Sequence, residues 1–266
     1  MNKHTKLLFF DIDGTLITDD GRRYFPESAK EAIRLARAAG HKTFINTGRV
    51  LVNIEDFIRE AGFDGYVCGC GTHIILDGKE LLHNLVPRER CVEIAEKARE
   101  CRMLALFEQA EQTCYDKGIW GNEYREVLDY FISMKRKMVE DIYAPEFLFD
   151  KFATWYYDDN DRVQEFLDYI SEDFDSIKRE GNFYECVPKG FSKATGIRFL
   201  CERFGVTEED CYAFGDSNND IGMLSAVKYS VAMGNSTPGV IACAAFHTDT
   251  VENGGIKKAM EHYHLI

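Results

Sequence analysis

The chain has 266 residues, 45% hydrophobic and 13% aromatic, enough to build a substantial core, so an intrinsically disordered chain is excluded. Its 45 acids against 32 bases give a net charge of −13, which repels phosphate backbones and excludes a broad nucleic-acid-binding surface. No apolar run reaches the ~18 residues of a membrane span, MNKHTKLLFF holds no small-residue cleavage site, and nine scattered cysteines read as reduced thiols, so a cytoplasmic protein is expected.

Leu7–Phe10 is a short, fully apolar run ending in acids, the pattern of a buried parallel strand. Ala29, Ile33 and Ala36 share one helical face and predict a helix over 26–39 that Gly40 stops. Strands follow at 42–46 and 66–68, with a helix over 50–61 between them. Ile74–Leu76 and Leu81-Leu82 around Asp77-Gly78 read as a hairpin. Beyond Pro87 the pattern changes. Helices are expected over 88–101 and 123–139, and strands over 152–157, 174–180 and 183–187, the last two joined at Gly181-Asn182. The basic run Lys135-Arg136-Lys137 reads as a solvated helix face. After Lys189 the first pattern resumes, with helices over 192–204, 219–227, 237–245 and 256–263 and strands over 211–214 and 229–233. The alternation predicts an α/β fold with a doubly wound parallel sheet built from 1–83 and 188–266. Residues 84–187 form an inserted α+β domain.

Polar clusters fall at the strand ends, where such sheets bind ligands. Asp11 and Asp13 leave the first strand on one side, and like charges that close call for a cation or a shared proton. Gly14 permits the turn that brings backbone near a ligand. Asn46-Thr47-Gly48-Arg49 offers a hydroxyl and amides at a helix start, suited to an anion or to a cap. Lys193 stands in a first helical turn, against the dipole, which carboxylates or a phosphate would explain. Asp216, Asn218 and Asp220 mimic half a calcium loop, but Ile221 and Val227 stand where glycine and glutamate belong, so a metal site shared with another cluster is the better reading. Cys68 and Cys70 lack a second ligand pair for zinc. Each cluster is weak alone. Gathered by parallel strands to one edge, they are equipment for phosphoryl transfer.

In this order the segments Asp11–Thr15, Thr47–Arg49, Lys189–Lys193 and Gly215–Leu224 resemble the motifs of haloacid dehalogenase (HAD) superfamily phosphatases of the Cof type, as do Val231–Asn235 and Asn253–Ile256. Asn46, Ala194 and the entry Cys68–Thr72 depart from the usual pattern. The resemblance implies a Rossmann-type core, an α/β cap inserted between the second and third motifs, and Mg²⁺ as cofactor. It implies Asp11 as nucleophile, Asp13 as acid and base, and Thr47, Gly48, Lys193 and Asn219 on the phosphoryl oxygens. It implies Asp11, Asp13 (through its carbonyl), Asp216 and Asp220 around the metal. The expected activity is hydrolysis of small phosphorylated metabolites, sugar phosphates foremost, by a monomer or homodimer without nucleic-acid or membrane partners. A phosphomutase, which needs water excluded, and a non-catalytic regulator on the same fold are the alternatives.

Overall fold

The computed structural model describes residues 5–120, 124–133, 137–179 and 181–266. In chain order the first elements are β1 (Leu7–Phe10), α1 (Glu27–Ala38), β2 (Lys42–Asn46), α2 (Asp56–Arg59), β3 (Gly65–Cys68), β4 (His73–Leu76) and β5 (Lys79–His83). Next come α3 (Arg88–Glu100), β6 (Leu104–Glu108), β7 (Gln112–Tyr115), α4 (Arg125–Ser133), β8 (Lys137–Val139), β9 (Lys151–Trp155), α5 (Val163–Ile170), β10 (Phe174–Lys178) and β11 (Phe183–Pro188). The chain ends with α6 (Lys193–Phe204), β12 (Cys211–Gly215), α7 (Ile221–Ser225), β13 (Tyr229–Ala232), α8 (Pro238–Cys243), β14 (Phe246–His247) and α9 (Gly255–His262). Two compact units result: Met1–Arg49, Ile54–Leu82 and Phe191–Ile266 form one, and Val50–Asn53 with His83–Gly190 the other.

The first unit is built on a sheet of order β14-β13-β12-β1-β2-β3-β4-β5. From β14 to β3 every neighbour is parallel, and β4 turns back antiparallel to β3. β1 sits at its centre, covered on both faces, which is why all four of its residues are apolar. Phe9 stacks on Phe44 and Phe10 on Phe214, with ring centroids 5.2 and 4.6 Å apart. Parallel strands send all their carboxyl ends to one edge, so the residues after β1, β2 and β12 become neighbours. The second unit carries a sheet of order β10-β11-β9-β6-β7-β8. Its strands are antiparallel except for the β7–β8 pair. Ile94, Ala98, Phe107, Phe152 and Phe166 join α3 and α5 to one face of it.

Several expected elements differ. The helix over 50–61 is instead a 3₁₀ turn, Leu51–Asn53, and the four-residue α2. Glu55 between them is extended, with ψ 151°, and its carboxylate is held by Arg23 and Arg49, which interrupts the helix. Of the helix expected over 123–139, Arg125–Ser133 is helical, whereas Lys137–Val139 is a strand because β7 offers it a parallel partner. Lys135 and Arg136 lie outside the described residues. Strands β6 and β7 and helix α5 were not expected. Eight of the nine cysteines are buried.

Candidate active site

Asp11 directly follows β1, and its N–H bonds the Phe214 carbonyl of β12 at 3.1 Å. The carboxylate is thereby held at the sheet edge, nearly buried. Gly14 then turns the chain back with φ 72°, and a Cβ there would collide with the Asp216 carboxylate, so only glycine lets this loop lie against the end of β12. Asn235 donates to the Gly14 carbonyl at 2.7 Å, and Thr15 Oγ1 donates to Asp216 Oδ1 at 2.9 Å.

Lys193 opens α6. Ser192 caps that helix by accepting from the Thr195 N–H at 3.1 Å, while Thr195 Oγ1 accepts from the Ser192 N–H at 2.8 Å. From this fixed first turn the Lys193 ammonium reaches Asp11 Oδ1 and Asp220 Oδ1, both at 2.6 Å. The other Asp220 oxygen accepts from the N–H groups of Asp216 and Ser217, at 3.0 and 3.2 Å. Asp11, Asp216 and Asp220, all buried, each bring a carboxylate oxygen within 4.8 Å of the others. Asn218 turns away to accept from Thr237 Oγ1 at 2.9 Å, so the segment is no calcium loop.

One ammonium against three carboxylates leaves the cluster unbalanced. Burial, then the Asp220 charge, push Asp11 up to about 7 in spite of Lys193. Burial, then the charges of Asp11 and Asp220, push Asp216 up to about 8. Burial would lower the Lys193 ammonium, but the charges of Asp11 and Asp220 outweigh it and hold it well above the usual lysine range. Hard oxygen donors that retain protons near neutrality for want of positive charge are a donor set that a divalent cation fits.

Asp13 stands beside this cluster rather than in it. Arg49 clasps its carboxylate through Nη2 to Oδ1 and through Nε to Oδ2, the latter at 2.8 Å. Arg49 Nη1 also donates to Glu55 at 2.9 Å, Glu55 accepts from Arg23 Nη2 at 2.6 Å, and Arg23 Nη1 closes the ring 3.5 Å from Asp13 Oδ1. Burial pulls the Arg49 guanidinium down, but the Asp13 and Glu55 charges leave it raised. Thr47 is buried after β2, its hydroxyl accepting from the Arg49 N–H at 3.2 Å, with Gly48 between them. The Asn219 side chain takes the Ser217 hydroxyl and none of the three carboxylates. The structure thus gathers Asp11, Lys193, Asp216 and Asp220, and gives Asp13 an arginine partner. The sequence reading gave no role to Arg23, Glu55 or Asn235; the signals present were the place of Arg49 in its cluster and of Asn235 at the end of the segment Val231–Asn235.

A buried ammonium fixed between carboxylates, at the carboxyl edge of a parallel sheet, suits an enzyme that handles phosphoryl groups, and the comparisons make that enzyme a phosphatase. The chain belongs to the haloacid dehalogenase-like hydrolases, whose family model matches residues 8–260. YkrA of Bacillus subtilis (strain 168), provisionally named a phosphatase, is 28% identical over 264 residues, 98% of this chain and 99% of its own. YcsE of the same organism, named 5-amino-6-(5-phospho-D-ribitylamino)uracil phosphatase, is 26% identical over 262 residues, 98% of this chain and 96% of its own. The solved structure of the HAD subclass IIB sugar phosphatase BT4131 matches with a TM-score of 0.78 at 26% identity, covering 98% of this chain and 100% of that one. The expected HAD-type phosphatase and doubly wound α/β core are therefore both borne out. Among the described residues no helix is long and apolar enough to cross a membrane.

Proposed function

We propose that this phosphatase hydrolyses small phosphorylated metabolites, sugar phosphates foremost, with Mg²⁺ and through a phosphoaspartate on Asp11. The observation that carries the reading is the Lys193 ammonium set 2.6 Å from both Asp11 and Asp220 inside a cluster of three buried carboxylates. Asp11, Asp216 and Asp220, with the Asp13 carbonyl, are the groups that would hold Mg²⁺. When bound, the ion supplies the positive charge that lets an anionic nucleophile meet an anionic phosphate. Lys193, Thr47 and Gly48 hold the phosphoryl oxygens, with Asn219 at the rim. Asp11 attacks phosphorus, and the bond to the leaving oxygen breaks. Asp13 gives that oxygen a proton, then takes one from the water that hydrolyses the phosphoaspartate. Arg49 holds Asp13 between these steps. The unit that contains residues 84–187 serves as the cap that selects the substrate. The names of BT4131 and YcsE support polyhydroxy substrates, one being a sugar phosphatase and the other acting on a phosphorylated ribityl chain.

The test is turnover across a panel of phosphorylated metabolites before and after exhaustive chelation. Activity is expected to vanish on chelation, to return with Mg²⁺, and to be blocked by calcium, whose extra oxygen ligands disturb the attack. Full activity after chelation, or labelled phosphate trapped on a residue other than Asp11, overturns the proposal.

A further inference from the structure

Asn46 is the last residue of β2, wholly buried, and the next residue is Thr47. Its side-chain Nδ2 donates to the backbone carbonyl of Lys193 at 3.0 Å and lies 3.2 Å from Met223 Sδ. Its Oδ1 is buried too, and has no hydrogen-bond partner among the described residues. The partner fixes the direction of the amide: a backbone carbonyl only accepts, so Asn46 must present nitrogen to it. Turning the amide over would set two oxygens face to face. The stranded Oδ1 is the consequence of making that one hydrogen bond.

A buried polar atom without a partner destabilises a fold, and such an atom in a native structure calls for an explanation. The preceding β2 residues Phe44 and Ile45 are wholly buried and apolar, and an apolar side chain at position 46 would leave no oxygen stranded. What the amide provides instead is a tie from the end of a strand to the first turn of a helix. On the strand side the tie ends next to Thr47. On the helix side it holds the backbone of Lys193. The ammonium of Lys193 has little room for error, since it must lie within hydrogen-bond reach of Asp11 and of Asp220 together. The Ser192 cap fixes the helix start along its own axis, and Asn46 fixes that start against the sheet.

We propose that Asn46 is a positioning residue, which holds the Lys193 backbone against β2 so that the ammonium stays between Asp11 and Asp220 and in register with Thr47. The inference rests on the assignment of Lys193 to the phosphoryl site. It also implies that stability and activity respond to this residue in opposite senses, because the hydrogen bond that serves the site strands an oxygen in the core.

The test measures kcat, KM and Tm for the full-length protein with an aryl phosphate in four forms: wild type, Asn46→Val, Asn46→Ala and Lys193→Ala. Asn46→Val fills the space and removes both donor and stranded oxygen. It is expected to hold or raise Tm while kcat falls by about 10- to 100-fold, the effect of a misplaced catalytic group, and KM moves by less than about threefold. Asn46→Ala is expected to match it in kcat and guards against misfit of the valine. Wild-type kcat in both Asn46 variants, with Lys193→Ala inactive, overturns this inference alone. Loss of kcat only in step with a fall in Tm also overturns it, since a structural role gives that pattern. Full turnover by Lys193→Ala would instead overturn the site assignment beneath it.

Discussion

Both units bury charged side chains on a sheet, and they differ in how the charges are matched. In the inserted unit, Lys151 on β9 meets Glu185 on β11 and Glu108 on β6, and Arg179 takes the second oxygen of Glu185. Two cations thus meet the one Glu185 carboxylate. Burial would raise Glu185, yet Lys151 and Arg179 hold it down at about 2. In the unit that holds Asp11, one ammonium faces three carboxylates, and two of these are pushed up to about 7 and about 8. In the first, the Glu185 carboxylate is met by cations of the fold itself. In the second, the carboxylates outnumber the ammonium that meets them. Burial of charge does not by itself mark a site; a deficit of countercharge does.

The strongest challenge to this contrast is Asp11→Asn, which keeps the shape of the unmatched cluster and removes the proposed nucleophile. Turnover is expected to drop by about 10⁴-fold or more, with Tm unchanged in a thermal scan. Wild-type turnover in that variant would erase the distinction between the two clusters. Asp13→Asn comes next. It removes the proposed proton donor and leaves the backbone carbonyl, so single-turnover phosphorylation should slow by about 10² to 10⁴ for a sugar phosphate. For nitrophenyl phosphate, whose leaving group needs no proton, the loss should be much smaller. Equal losses for the two substrates would remove Asp13 from the acid role.

The smallest effect belongs to the matched cluster. Glu185→Gln leaves Arg179 facing a neutral group and Lys151 with Glu108 still beside it, which should cost about 3 kcal/mol in urea unfolding at neutral pH. The folded Glu185 carboxyl sits at about 2, below its ordinary 4.5, so its contribution is complete above about 4.5 and is lost as pH falls towards 2. The gap between wild type and variant should therefore narrow on acidification. A gap that widens would mean that the carboxylate is not held ionised by its neighbours.

The legible parts of the molecule were those governed by neighbouring residues. Leu7–Phe10 announced a central strand because parallel strands covered on both faces carry no polar residue, and the acids after it marked the edge. Asp216 and Lys193 were found for the same reason, each at the join of two periodic segments. The clasp of Asp13 by Arg49, with Arg23 and Glu55 behind it, depends on loops that meet only in three dimensions. In the inserted unit, Gln112–Tyr115 has no alternation because it is buried on both sides. Lys137–Val139 continues a helical pattern, yet is a strand because a neighbouring edge takes it up.

The place of β1 between β2 and β12 also dictates the order in which the protein can be finished on the ribosome. β2 begins at Lys42 and β12 at Cys211, so β1, made before both, keeps one edge without its partner strand through synthesis of the residues between them. The inserted sheet draws all its strands from residues 104–188 and can close first. Asp11 acquires its lysine from 182 positions further along the chain. A chain that lacks β12 would leave that edge of β1 bare, the kind of unpaired strand edge on which aggregation starts.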